Sequence, residues 1–184
     1  IINLIKGSQT SSLITRGLGR SYGDAAQLKD DLVLNISFSN GISISGNQLT
    51  VGGGVSISKL LEVIVPLGYF LPVSPGSAQV TIGGAVAADV HGKNHHKDGS
   101  LGNHVSRILL IDGKGELKEI KPKLEHSEEN NNFFWATIGG MGLTGVILEV
   151  TISLIKIETS LMKVDTFICN ELEILMDLMR SKDK

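Results

Sequence analysis

Apolar positions recur along most of this chain at spacings that assign elements. Residues 12–15 and Leu32-Val33-Leu34-Asn35-Ile36 read as strands on either side of a glycine-rich loop. Ile42 to Ile44 and Gln48 to Val51 predict a hairpin turning at Gly46-Asn47. Ser56 is placed to cap a helix from Ile57 to Val65, apolar at Leu60, Leu61, Ile64 and Val65 and stopped by Pro66 and Gly68. Pro72 and Pro75 bracket an extended segment. Gly83 to Val90 then reads as a short helix of small residues.

Further on, Arg107 to Asp112 and Glu116 to Ile120 flank Gly113-Lys114-Gly115, a second hairpin. Glu125 to Asn132 is polar and reads as loop, Phe133 to Ile138 as a short helix with Trp135 in the core, and Thr144 to Ile157 as one long strand. The pattern then changes. Leu161 to Cys169 reads as a strand, and Glu171 to Met179 as a helix offering Leu172, Ile174, Leu175, Leu178 and Met179 for burial. This predicts a domain boundary near 156–160, with a second domain opening at 158–184. The chain starts at Ile1 and ends on a polar tetrapeptide, so both ends read as cut.

Composition narrows the function classes. The hydrophobic fraction is 41% and the charged fraction 20%, which excludes wholesale disorder. Lys+Arg 17 against Asp+Glu 19 gives a net charge of -2, no footprint for nucleic acid or an anionic membrane surface. No run approaches the roughly 20 apolar residues of a membrane span. A single cysteine, Cys169, rules out an internal disulfide framework and a multi-cysteine metal site. Glycine stands out, with 22 in 184 residues against the usual ~7%.

Many of these glycines fall into three clusters. The first, Arg16-Gly17-Leu18-Gly19-Arg20-Ser21-Tyr22-Gly23-Asp24, follows a strand; its glycines let backbone N–H groups converge on phosphate, and Arg16 or Arg20 can supply charge. It is neither a Rossmann fingerprint, since a strand and not a helix follows, nor a Walker loop. The alternative is a tight surface turn. The second runs from Pro75-Gly76-Ser77 through Thr81-Ile82-Gly83-Gly84-Ala85 to His91-Gly92-Lys93-Asn94-His95-His96. Its small residues make a wall on which a flat ligand can lie, and Thr81 can cap a short helix whose N-terminus would face a pyrophosphate. The third, Ile138-Gly139-Gly140-Met141-Gly142-Leu143-Thr144-Gly145, feeds the long strand at Val146-Ile147.

His91, His95 and His96 do not make a zinc site, because Gly92 weakens a helix and no glutamate occupies the zincin position. His91 and Lys93 are read instead as lining a polar pocket, where either can move a proton near neutral pH.

In this order the clusters resemble the flavin-binding domain of the vanillyl-alcohol oxidase / p-cresol methylhydroxylase superfamily, over roughly Leu13 to Ile157. Arg16 to Asp24 and Asp89-Val90-His91-Gly92-Lys93-Asn94-His95-His96 are similar, within it, to the family oxidising decaprenylphosphoryl-β-D-ribose at its 2'-hydroxyl. The resemblance implies an α+β fold: a p-cresol-methylhydroxylase-type FAD-binding domain of two α/β subdomains over 1–157, then the start of a substrate or cap domain. It implies non-covalent FAD. Its pyrophosphate would be held by Thr15, Arg16, Gly17, Leu18, Gly19, Arg20, Ser21, Tyr22, Gly23, Asp24 and Ala25. Gly76, Thr81, Ile82, Gly83 and Gly84 would run along the cofactor, Ala88, Asp89, Val90 and His91 beside the isoalloxazine, and Val146 or Ile147 near the adenine. Ala88 stands where that family favours cysteine.

Lys93, Tyr22 and His91 would edge the substrate pocket as the catalytic residues, with no metal. The implied reaction oxidises a sugar secondary alcohol to a ketone. An NAD(P)H-dependent keto-reductase would complete an epimerisation. A lipid-linked substrate implies a cytoplasmic or peripheral membrane location. Alternatives are an alditol or sugar-lactone oxidase, a flavin reductase acting on a nucleotide sugar, and a non-catalytic nucleotide-binding module.

Overall fold

The computed structural model describes residues 2–7, 12–122 and 128–182. At its centre is a five-stranded antiparallel sheet of order β3-β4-β8-β6-β7, formed by β3 (Ile42–Ser45), β4 (Gln48–Gly52), β8 (Gly145–Ser153), β6 (Val105–Asp112) and β7 (Leu117–Ile120). The two hairpins are those the turn glycines predict, with Ile42 opposite Val51 and Ile111 opposite Leu117. β8 lies between β4 and β6 and so joins the hairpins into one sheet.

One face of the sheet is covered by helices. In α2 (Ile57–Ile64) the Ser56 hydroxyl accepts from Lys59 N at 3.1 Å, and Ile57, Leu60 and Ile64 are buried. α3 (Ile82–Ala87) packs on β4 and β8, and α5 (Glu128–Thr137) packs on β7. These helices bury Leu49, Val51, Ile108, Leu110, Val150 and Ile152 of the sheet together with Ile82 and Phe134. On the opposite face lies a parallel pair, β1 (Leu13–Arg16) with β2 (Leu32–Asn35), next to α1 (Ile2–Gly7). Ile36, Ile111 and Val146 form a second, smaller core there, backed by Ile5, Leu13, Leu34 and Leu148.

A fourth glycine cluster, Gly52-Gly53-Gly54, lets backbones touch where the layers meet. A Cβ on Gly53 would strike the Ile147 carbonyl, and Gly83 N donates to Gly53 O at 2.8 Å. No helix among the described residues is long and apolar enough to cross a membrane.

Several expectations change. The long strand ends at Ser153, where buried Leu154 donates its N–H to Asn47 O at 2.7 Å. β9 (Ile155–Lys156) then leaves the sheet to pair with β5 (Tyr69–Phe70). α3 is shorter than Gly83 to Val90, because Asp89 takes a left-handed φ of 43° and turns the chain. Of the polar stretch expected as loop, residues 125–127 lie outside the described residues, whereas 128–132 are helical and begin α5. Trp135 is 45% exposed rather than in the core; Phe134 is the aromatic that α5 buries.

Leu161 to Cys169 is not a strand. No neighbour among the described residues offers it a ladder, and Leu161, Met162, Val164, Phe167 and Ile168 are exposed. α6 (Leu172–Lys182) forms, but Leu172, Ile174, Leu175 and Met179 stay exposed.

Candidate cofactor site

The three glycine clusters are distant in sequence and adjacent in space. Gly17 backs directly onto Thr81: a Cβ there would collide with Oγ1 and come within 2.9 Å of Cγ2. Gly142, at φ +81°, lies over Thr15, whose Oγ1 would be 3.3 Å from an added Cβ. The third cluster is tied to the end of α3 by Gly139 N to Val86 O at 3.1 Å and Met141 N to Ala87 O at 2.7 Å. β1 and its loop, α3 and the entry to β8 therefore form one wall almost without side chains.

Beside this wall opens a cleft of about 740 Å³, lined by Ser12 to Thr15, by Ile5, Lys6 and Leu28, and by Ile111 to Lys114. Gly142, Leu143, Gly145 and Val146 complete it. Its size suits a cofactor-sized ligand. Between two lining residues, Thr144 Oγ1 is buried with no hydrogen-bond partner among the described residues. At the hairpin end, Asp112 Oδ1 accepts from Lys114 N and Glu116 N, both at 2.9 Å, and Oδ2 pairs with Lys118 Nζ at 2.9 Å. Burial pushes the Asp112 carboxyl up, but the Lys118 bond and the two backbone donors outweigh it and hold the pKa below its ordinary value. Lys118 is raised in turn, chiefly by that bond to Asp112. The cleft thus has a compensated carboxylate at its edge and two lysines, Lys6 and Lys114, on its walls.

The amides available for phosphate lie in the loop and not at α3. Among the described residues, none of the backbone N–H groups from Gly17 to Gly23 finds a carbonyl partner. Gly19 and Gly23 have φ of +65° and +58°, which side chains rarely adopt, and Arg16 folds its guanidinium over Gly19. By contrast the first amides of α3 are spent. Ile82 N donates to Val55 O at 2.8 Å, Gly83 N to Gly53 O, and Gly84 N to Thr81 Oγ1 at 3.2 Å. Thr81 caps α3 as expected, but the expected helix N-terminus open to pyrophosphate is occupied by the protein's own carbonyls and cap. Thr81, Ile82, Gly83 and Gly84 contribute a close backbone instead, with the Ile82 side chain wholly buried.

The remaining sequence candidates divide. Val146 lines the cleft, whereas Ile147 points into the main core. Gly76 is exposed and a Cβ there would meet open space, so no close approach requires glycine. Asp89 spends Oδ1 on Gly102 N at 2.9 Å. Val90 accepts from Leu101 N, and His91 bridges to Ser100. Ala88 closes α3 through Gly84 O. Leu18, Arg20, Ser21, Gly23 and Asp24 are exposed, and Ala25 is half-buried. Lys93 and His91 are exposed on the segment after α3, with the His91 and His95 rings 5.1 Å apart. Tyr22 is 97% exposed, and no ring contact joins it to His91 among the described residues. No group of three metal-ligating side chains occurs among the described residues.

Sequence reasoning missed Gly142, Leu143 and Gly145 as lining residues, although the Gly-Leu-Thr-Gly motif was the available signal. It also missed Lys6, Leu28 and Lys114, which no local pattern marks.

Loop amides without a carbonyl partner among the described residues, an arginine beside them, a glycine wall and a cleft of about 740 Å³ fit a dinucleotide with a flat ring. A family model for an FAD binding domain matches residues 5–121, and the chain belongs to that family, so FAD is the cofactor this domain serves. Among curated relatives, the decaprenylphosphoryl-beta-D-ribose oxidase of Mycolicibacterium smegmatis is 47% identical over 80% of this chain and 32% of its own length. D-arabinono-1,4-lactone oxidase of Kluyveromyces lactis is 23% identical over 84% of this chain and 30% of its own. Cytokinin dehydrogenase 4 of Arabidopsis thaliana is 24% identical over 80% and 29%. The chain therefore spans about a third of the length of these relatives.

Proposed function

We propose that this chain is the FAD-binding domain of an oxidoreductase that converts a secondary alcohol of a lipid-linked sugar to a ketone. The favoured substrate is the 2'-hydroxyl of decaprenylphosphoryl-β-D-ribose. The observation carrying this reading is the His91-Gly92-Lys93-Asn94-His95-His96 segment at the end of the glycine wall, together with 47% identity to a relative so named. In this reading residues 1–157 make two α/β subdomains around FAD, and 158–184 begin a substrate domain.

Bound FAD supplies the two-electron acceptor for alcohol oxidation. The loop Arg16 to Gly23 holds the diphosphate through its amides, with the Arg16 charge beside them, and Val146 marks the adenine end. The attachment is non-covalent, so acid precipitation releases the flavin into solution. Lys93 orients the sugar hydroxyl or takes its proton, and His91 and Tyr22 edge the pocket. The enzyme works at a membrane surface, where its substrate resides. An NAD(P)H-dependent reductase then reduces the ketone from the opposite face and completes the epimerisation.

The test is anaerobic mixing of the full-length protein with a short-chain prenylphosphoryl-β-D-ribose. Flavin bleaching with formation of the 2'-ketone is expected. Bleaching by an alditol or an aldono-1,4-lactone, and not by the ribose compound, would move the function to an alditol or lactone oxidase.

A further inference from the structure

Lys93 is a long, flexible side chain, so its use at a reacting hydroxyl depends on how firmly its backbone is held. The segment that carries it is anchored on both sides. On the N-terminal side, Leu101 N donates to Val90 O at 2.9 Å and His91 bridges to Ser100. On the C-terminal side the turn closes through His95 N to Gly92 O at 3.2 Å, and one side chain ties it to the neighbouring strap. Asn94 Nδ2 donates to Pro72 O at 2.9 Å and to Asp98 Oδ2 at 2.7 Å, which uses both hydrogens of the amide. The Asn94 backbone carbonyl also accepts from Lys97 N and Asp98 N, both at 2.9 Å, closing α4 (His95–Asp98).

Gly92 completes the arrangement. A Cβ there would lie 2.7 Å from Asn94 Oδ1 and 2.8 Å from Ser74 O, so the chain before Lys93 is pressed onto the Pro72–Pro75 strap. A residue that served only to start α4 would turn its side chain to the helix amides; Asn94 makes no such cap and divides its amide between the Pro72 carbonyl of the strap and the Asp98 carboxylate of α4.

We propose that Asn94 is a positioning residue for Lys93, bracing the backbone from which that lysine reaches the substrate through its bonds to Pro72 and Asp98. This rests on the role given to Lys93 above.

The test uses the full-length, FAD-loaded enzyme, reduced anaerobically by a short-chain prenylphosphoryl-β-D-ribose in single turnovers. Asn94→Ala is expected to keep its FAD and lower the limiting reduction rate on the order of 10-fold. Introduced into Lys93→Ala, the same change is expected to cost nothing further, because the side chain it positions is gone. A general loosening of the fold would instead multiply the two losses. Asp98→Ala, which frees one of the two amide hydrogens, carries the same paired test if Asn94→Ala does not fold. Asp98→Asn retains an acceptor oxygen and should lose less than Asp98→Ala.

An unchanged rate in Asn94→Ala, or equal losses in both backgrounds, would overturn the proposal while Lys93 kept its role. No effect of Lys93→Ala itself would remove both.

Discussion

The two ends of the site are built in opposite ways. At the cofactor end, function is carried by backbone. Gly17 lies against Thr81, Gly142 over Thr15, and the third cluster is bonded to Val86 and Ala87. At the proposed reaction end it would be carried by side chains, with His91 and Lys93 exposed on a short segment held by Asn94 and Ser100. At Gly17 an added Cβ would strike the Thr81 side chain, which is itself part of the wall. An exposed side chain can be removed with the fold intact. Substitutions should therefore separate binding from chemistry.

The largest effect is expected at the wall. Gly17→Val puts a β-branched side chain into Thr81, and FAD should be lost from the purified protein while its circular dichroism spectrum persists. Full occupancy in this variant would return the loop to a surface turn. At the other end Lys93→Ala should retain FAD and slow flavin reduction by about 10²-fold if the lysine is the base. A weaker apparent affinity with the limiting rate preserved would instead make it a phosphate-holding group.

A smaller effect is expected of Thr81→Ala, which removes the cap on Gly84 N. It should cost about 1 kcal/mol of stability, read as a lower denaturation midpoint.

The smallest effect is electrostatic and lies at the hairpin beside the cleft. Hydrogen bonds from Lys121 and then Arg107 hold the Glu119 carboxyl at about 2, against an ordinary 4.5. A depressed folded-state pKa stabilises above the unfolded value, and the contribution is lost as pH falls through the folded one. Stability should thus drop as pH falls from about 4.5 toward 2. Asp112, also depressed, adds to the loss. Glu119→Gln should flatten part of that acid limb in a melting-temperature series.

The same contrast explains what was legible in the sequence. Hairpins and caps are written locally: Gly46-Asn47, Gly113-Lys114-Gly115, Ser56 and Thr81 all do what their chemistry dictates. The glycine clusters announced a close backbone approach, but their partners are long-range. Nothing near Gly17 in sequence shows that it meets Thr81, nor that Val55 and Gly53 occupy the first amides of α3. Ile147 and Val146 are adjacent, and strand alternation sends one to the core and the other to the cleft. Leu161 to Cys169 misled because apolar spacing alone does not supply a pairing partner. The polar residues at 128–132 misled in reverse, since Phe134 packing supports a helix that their composition does not.

The central claim is that contact between the first two glycine clusters shapes the FAD seat, and titration of FAD into paired variants of the apo-protein tests it directly. Gly17→Ala alone should abolish tight binding, because its methyl would strike Thr81 Oγ1 and lie 2.9 Å from Cγ2. Gly17→Ala with Thr81→Ala removes both atoms, leaves a Cβ at 3.1 Å, and should regain part of the affinity. Wild-type FAD binding by Gly17→Ala, or a double variant weaker than the single one, would contradict the account.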